Sequence, residues 1–414
     1  MKILWVKPGK LLPLDSGGKL RTYNIVRYLA ATHEVTYLSY YGGARDREYE
    51  QQIRQNVPGT VAVHTSVSDA TGFARYFQYV RSLPSLAPFS VSNFAVSQVR
   101  QMVTDWMLQR RFDVAVCDFL ASSLTFPRDL SIPTVLFQHN VETLLWRRRA
   151  QYEAKWPDRW ISKIEYAKMA RFEPAQVRRF HHVLAVSDED CRAMTGMVER
   201  ARMTVIPTGV DLAMYRYDPE ARANAPLVVF SGSMDWAPNI DGVEYFCQEI
   251  WPHVLAQVPA ARFRIVGRNP HARVQKLASR SVEVTGSVPS ILDHFREAAV
   301  LVVPLRIGGG TRIKIYEGMA MGKATVSTRL GAQGLDVRHG QDILLADEPR
   351  QFAEYVVRLL LDDETRHEYQ AAAAATAQKH DWSTVTERLV EALHRTIRTA
   401  SRQKMVPEQI VANV

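Results

Sequence analysis

Cysteine is scarce in this chain. The three present, Cys117, Cys191 and Cys247, are odd in number and far apart, so neither a disulfide framework nor a Cys-x-x-Cys metal site is indicated, and a reducing, cytoplasmic setting is the expectation. Long apolar runs are missing as well. None approaches the ~20 residues of a transmembrane helix, and Met1 to Val6 is too short for the apolar region of a signal peptide. No G-x-G-x-x-G follows the first strand, which removes the support for a dinucleotide site. The letters D-x-D at Asp188 to Asp190 follow Ser187, and a serine before an acidic first turn is what a helix N-terminus prefers, so they read as a cap and not as a metal motif. With no clustered His/Cys set, neither a metal nor another cofactor is expected. An obvious carboxylate pair for a hydrolase is also lacking.

What is present points to two α/β domains. A chain of 414 residues is too long for one ordinary core, and its 46% hydrophobic and 23% charged residues are ordinary for a globular protein. It opens with a strand from Met1 to Val6, then Gly17 and Gly18 ahead of a helix whose Leu20, Ile25, Val26 and Leu29 recur with helical spacing, then a strand from Val35 to Leu38. This is a βαβ beginning, and its right-handed crossover predicts a doubly wound parallel sheet. Further strands are expected at Val61 to His64, Val114 to Cys117, Thr134 to Gln138 and Val183 to Val186. The strand from Thr134 runs into His139, at a carboxyl end, where open α/β sheets place ligands. After a polar linker, Tyr215 to Ala225, strands are expected at Leu227 to Ser231 before Gly232, at Ala261 to Val266 before Gly267-Arg268, at Val282 to Thr285, along Ala298 to Leu305, and at Ile343 to Leu345. Phe352 to Lys379 reads as helical, Trp382 to Ala400 as a last helix, and Met405 to Val414 as a loose tail.

One stretch organises the rest. From Leu305 the chain passes through Gly308, Gly309 and Gly310 into a segment that reads as a helix until Gly322. Glycines let backbone approach a ligand closely, and the free N–H groups and dipole of a helix start favour an anion. Gly310, Lys314 and Glu317 share one helical face. Lys314 reads as the counter-charge of a diphosphate and Glu317 as an acceptor for vicinal hydroxyls. The plainer alternative is a solvated ion pair beside a tight turn.

The segment Gly308 to Thr328, with Gly331-Ala-Gln-Gly-Leu-Asp336, resembles the donor-site signature of retaining glycosyltransferases of the GT-B fold, family 4. The resemblance implies two Rossmann-like, doubly wound parallel-sheet domains facing a cleft. An acceptor-side domain would cover 1–205, with the helix 382–400 packing back on it, and a nucleotide-sugar domain would cover 206–381. It implies that Glu317 binds the nucleotide ribose and that Gly309, Gly310 and Thr311 line the diphosphate. The family commonly has two glutamates eight positions apart; Glu317 matches the second, and Gly309 stands at the position of the first. Gly17 and Gly18 resemble its N-terminal glycine loop, His139 matches the histidine that faces the transferred sugar, and Val288 sits in the turn against the nucleobase. Many members hold the diphosphate with an arginine and a lysine after Gly232. Here Ser233 replaces the arginine and no lysine lies near Asn239, so Arg268, Arg312 and Lys314 are the cations left for the task. The implied activity is transfer of a sugar from a nucleotide-diphosphate sugar to an acceptor hydroxyl with retention, in polysaccharide or glycolipid synthesis.

The formal charge of +9 is uneven. Val141 to His182 carries ten Lys/Arg against five Asp/Glu, with Trp146, Trp156, Trp160 and Phe172 interleaved. Such a face can rest on an anionic membrane. Nucleic acid is disfavoured because no recognition motif accompanies the charge. Two other classes stay open: a sugar-nucleotide epimerase or hydrolase on the same fold, and a non-catalytic protein that binds polyanions or lipids.

Overall fold

A computed structural model describes the chain except residues 69–71, 153–155, 221–224, 309–311 and 412–414, and the side chains of 72, 75, 152 and 402–411. It divides into two compact units, Met1–Pro207 with Val385–Val414, and Thr208–Thr384. Each is built on its own parallel sheet.

The first unit carries β1 (Lys2–Pro8), β2 (Glu34–Tyr41), β3 (Thr60–His64), β4 (Val114–Asp118), β5 (Thr134–Gln138), β6 (His182–Ala185) and β7 (Met203–Val205), in the order β3-β2-β1-β4-β5-β6-β7. β4 and β5 are buried along their whole length, as strands covered by helices on both faces must be. Leu4, Val6, Leu38, Ala115, Leu136 and Val183 build the core. The order turns around between β1 and β4, so the crevice at their carboxyl ends is the topological switch point. The helix Gly17–Thr32 starts there.

The second unit holds β8 (Leu227–Ser231), β9 (Arg262–Val266), β10 (Val282–Gly286), β11 (Val300–Val303), β12 (Ala324–Ser327) and β13 (Leu344–Leu345), in the order β10-β9-β8-β11-β12-β13. Its switch point lies between β8 and β11, which run into Gly232 and Leu305. The helix Ile313–Ala320 follows, and Gly322, with φ 66°, closes it in a conformation that suits glycine.

Three local readings change. β12 was not expected. The stretch Phe352 to Lys379 is two helices, Pro349–Leu361 and Asp363–Gln378, because the Asp362 side chain accepts from the N–H of Thr365 and starts a new helix. The last helix runs from Trp382 to Val411, so the expected tail is helical as far as its backbone is described; Gln403, Lys404, Met405 and Glu408 are all good helix formers. At Ser187 the side chain accepts from the N–H of Asp190, the cap that the sequence indicated.

Candidate active site

In the second unit the crevice is floored by Gly232. A Cβ there would stand 2.7 Å from Lys314 Nζ and 2.6 Å from Asn239 Nδ2, so glycine lets both side chains close on the backbone. Gly267, from the neighbouring strand end, is packed against the same turn: a Cβ on it would lie 1.6 Å from the Gly232 carbonyl oxygen. Asn239, near the start of the helix Ala237–Tyr245, donates to the Ser233 carbonyl at 2.9 Å and accepts from Lys314 Nζ at 3.3 Å. Arg268 Nε donates to Ser233 Oγ at 2.8 Å. The Arg312 guanidinium stands over the Trp236 ring at 5.3 Å, and Lys314 Nζ over the Phe230 ring at 4.2 Å.

The charges are under strain from burial. Lys314 is pushed down to about 7 by burial first and by Arg312 second, with Glu317 opposing. Burial lowers Arg312 to about 10. The Glu317 carboxyl is raised by burial, while a hydrogen bond from Tyr215 and the nearness of Lys314 hold it back. Lys314 and Glu317 both keep partial exposure, so a ligand can reach them. A cation, a backed carboxylate and an open glycine turn suit a diphosphate next to a pair of hydroxyls. The cavity of about 950 Å³ in this unit lies elsewhere, bordered by the strand starts Leu227, Arg262 and Val282. Ligands of open parallel sheets bind at the opposite, carboxyl ends, and the polar convergence there decides the assignment.

The first unit has a buried network at its own switch point. Asp118, the last residue of β4, accepts from Trp5 Nε1 at 3.0 Å and Thr22 Oγ at 2.6 Å, and His139 Nε2 lies 2.6 Å from its other oxygen. His139 Nδ1 is 3.1 Å from an Arg21 guanidinium nitrogen. With arginine obliged to donate, Nδ1 accepts and Nε2–H donates to Asp118, which fixes one neutral tautomer. Burial lowers His139 to about 4, with Asp118 opposing. Asp118 itself stays below the usual carboxylate range, because His139, Lys7 and Thr22 outweigh its burial. Phe119 stacks on the His139 ring at 3.7 Å and takes φ 67°, a costly backbone for a bulky residue. Lys7 Nζ stands over the Phe119 ring at 5.1 Å, and a Cβ on Gly18 would meet the tip of that ring at 2.7 Å.

Of the residues singled out from the sequence, the structure gathers Gly232, Ser233, Arg268, Arg312, Lys314 and Glu317 around one turn. Gly309, Gly310 and Thr311 lie outside the described residues. Val288 follows the carboxyl end of β10 and is packed on the core of this unit. Gly17 and Gly18 start their helix beside Phe119, and His139 is buried with both ring nitrogens engaged. Sequence reading missed Asn239, Tyr215 and Trp236, and in the first unit Lys7, Arg21 and Phe119. Asp118 carried a usable signal, an acid ending an apolar strand next to the strand that ends in His139. Among the described residues no group of three His, Cys, Asp or Glu could hold a metal ion.

Comparison with known proteins followed the two units. Residues 16–214 match the family described as Glycosyltransferase Family 4, and residues 225–362 match Glycosyl transferases group 1. The chain is 27% identical to the D-inositol 3-phosphate glycosyltransferase of Thermobispora bispora over 48% of its own length and 52% of that protein. It is 26% identical to the phosphatidyl-myo-inositol mannosyltransferase of Mycobacterium leprae over 49% and 55%. The matched region thus spans about half the length of these relatives. Among solved structures, Anabaena HepE in complex with UDP superposes with TM-score 0.67 at 16% identity, covering 95% of this chain and 100% of that one. At that identity the likeness speaks for the fold.

Proposed function

Because the chain belongs to the family 4 glycosyltransferases and has their two-domain, Rossmann-like GT-B fold, we propose that it moves a sugar from a nucleotide-diphosphate sugar to an acceptor hydroxyl, with retention at the anomeric carbon. In that reaction the bond from the anomeric carbon to the diphosphate oxygen breaks, a bond to the acceptor oxygen forms, and the acceptor's proton leaves. The enzyme's task is to carry the charge that grows on the departing diphosphate.

The observation that carries the reading is the seating of Lys314 Nζ against Gly232 and Asn239. Ser233 and Asn239 stand where many relatives place their diphosphate cations, and Lys314 reaches the same turn from the helix Ile313–Ala320, with Arg268 on Ser233. Glu317, backed by Tyr215, takes the ribose hydroxyls. The UDP in a structural neighbour and the phosphatidylinositol in a relative's name support a nucleotide donor and a glycan or lipid acceptor, in polysaccharide or glycolipid synthesis. No helix among the described residues is long and apolar enough to cross a membrane. We take the acceptor to be met at the anionic inner face of a membrane, with the basic segment 141–182 against it.

Calorimetric titration with UDP, GDP and ADP, repeated on Glu317→Ala, is the test. Tight binding of one nucleotide, lost in the variant, is expected. No binding of any of them would sink the donor site and favour the binding-protein alternative. Sugar release without acceptor at the same rate as with it would favour a hydrolase.

A further inference from the structure

The helix Gly72–Ser82 leaves Phe73 88%, Phe77 59% and Val80 58% exposed. Spaced at i, i+4 and i+7, they share one face. The apolar surface continues past the helix end with Leu83 and Leu86, the latter 90% exposed. Its other face is anchored: Tyr76 Oη donates to the Asp158 carboxylate, and Tyr79 Oη reaches the Ile161 carbonyl at 3.5 Å while its ring meets Phe89 edge-on. The helix therefore lies along the start of the helix Asp158–Arg179, where Trp156 and Trp160 are exposed too. Large apolar side chains exposed this close together mark an interaction surface.

The charges around the patch say which partner. Gly72 to Ser90 contains Arg75 and Arg81 and no acidic residue. Arg81 stands over the Phe77 ring and Lys163 over the Trp160 ring, at 5.8 and 5.2 Å. Arg159 is exposed on the helix Asp158–Arg179, and Arg147, Arg148 and Arg149 on the helix Glu142–Tyr152 that packs against it. Two acids of the same region are turned inward. Glu165 accepts from the N–H groups of Phe89 and Ser90, and Glu173 from those of Glu142 and Thr143. Both are buried, so the segment's outward face is more basic than its composition.

We propose that this face docks the first unit on an anionic membrane, with Phe73, Phe77, Leu86, Trp156 and Trp160 entering the headgroup region and the arginines pairing with lipid phosphates. The inference rests on the peripheral-membrane reading above and gives it a new centre, the helix Gly72–Ser82 in place of the basic segment alone. A second copy or a protein partner would have to supply an acidic, apolar counter-surface; an anionic bilayer supplies both properties everywhere.

Flotation of the full-length protein with phosphatidylcholine vesicles, with and without phosphatidylglycerol, tests this. Binding is expected only with the anionic lipid and should fall with added salt. Phe73→Ser/Phe77→Ser should weaken it roughly tenfold or more by removing buried apolar area, with circular dichroism unchanged because both side chains are exposed. Arg147→Glu/Arg148→Glu should do so through charge. No vesicle binding by the parent, or equal binding by the Phe variant, overturns the proposal. So does a dimer in light scattering that the Phe variant dissolves, which would give the face to a second copy. UDP titration of the same preparations separates the two readings, since vesicle binding without UDP binding sinks only the donor site.

Discussion

Lys314 operates near the pH at which it loses its proton. With its pKa at about 7, the free site is partly uncharged at neutrality, and a bound diphosphate has to pull the proton on. Affinity for the nucleotide is therefore expected to be highest below pH 7 and to fall as pH rises past it. Lys314→Arg, which stays charged throughout, should flatten the profile between pH 6 and 9 in calorimetry; a flat profile in the parent would remove Lys314 from the diphosphate. His139 gives a prediction of stability. Folding lowers it from 6.5 to about 4, so between those values the unfolded chain binds a proton that the folded one does not, and stability falls as pH drops through that window. The full effect is of order 3 kcal/mol. His182, also lowered to about 4 by burial, adds a similar slope. His139→Gln, which keeps a donor but does not titrate, should lose less between pH 7 and 4 in urea unfolding, and an unchanged slope would refute the neutral buried histidine. Lys314 and Glu317 were legible because helical spacing alone puts them together. The partners of His139 were not, since Asp118 and Arg21 lie 21 and 118 positions away and only the sheet order brings them in.

At the scale of elements, the close approach of strand ends shapes the crevice. Gly267→Ala would drive a Cβ into the Gly232 carbonyl, backbone against backbone, so the carboxyl ends of β8 and β9 have to part. A melting temperature lowered by several degrees and loss of UDP binding are expected; a variant that binds like the parent would mean that the turn is free to move. Gly18→Ala meets a ring instead, but Phe119 is pinned by its stack on His139 and by its positive φ, so the ring yields poorly. Most strands were legible as short apolar runs ending at glycine or a polar residue. β12 was not, because Ala324 to Ser327 follows a helix stop so closely that it read as the tail of the glycine-loop stretch. The break at Asp362 was hidden for a related reason. Helix-forming residues continue on both sides, and only the cap to Thr365 divides them.

For the whole molecule, the repeated βαβ pattern made the doubly wound architecture readable, and the two sheets of seven and six parallel strands carry it out. Which chemistry such a fold performs depends on how its site handles charge. A transferred sugar leaves behind a nucleoside diphosphate whose negative charge has to be met by a bound divalent cation or by protein cations. Here Arg268 and Lys314 converge on the Gly232–Ser233 turn, with Arg312 beside them close enough to lower Lys314. From these three cations we propose that transfer runs on protein charge alone. Protein treated with EDTA and passed into metal-free buffer should keep its rate with donor and acceptor, while Lys314→Ala should lose most of its kcat with or without added Mg²⁺. Activity lost on chelation and restored by Mg²⁺ would overturn this, and Mg²⁺ rescue of Lys314→Ala alone would show instead that the lysine occupies the place of an ion.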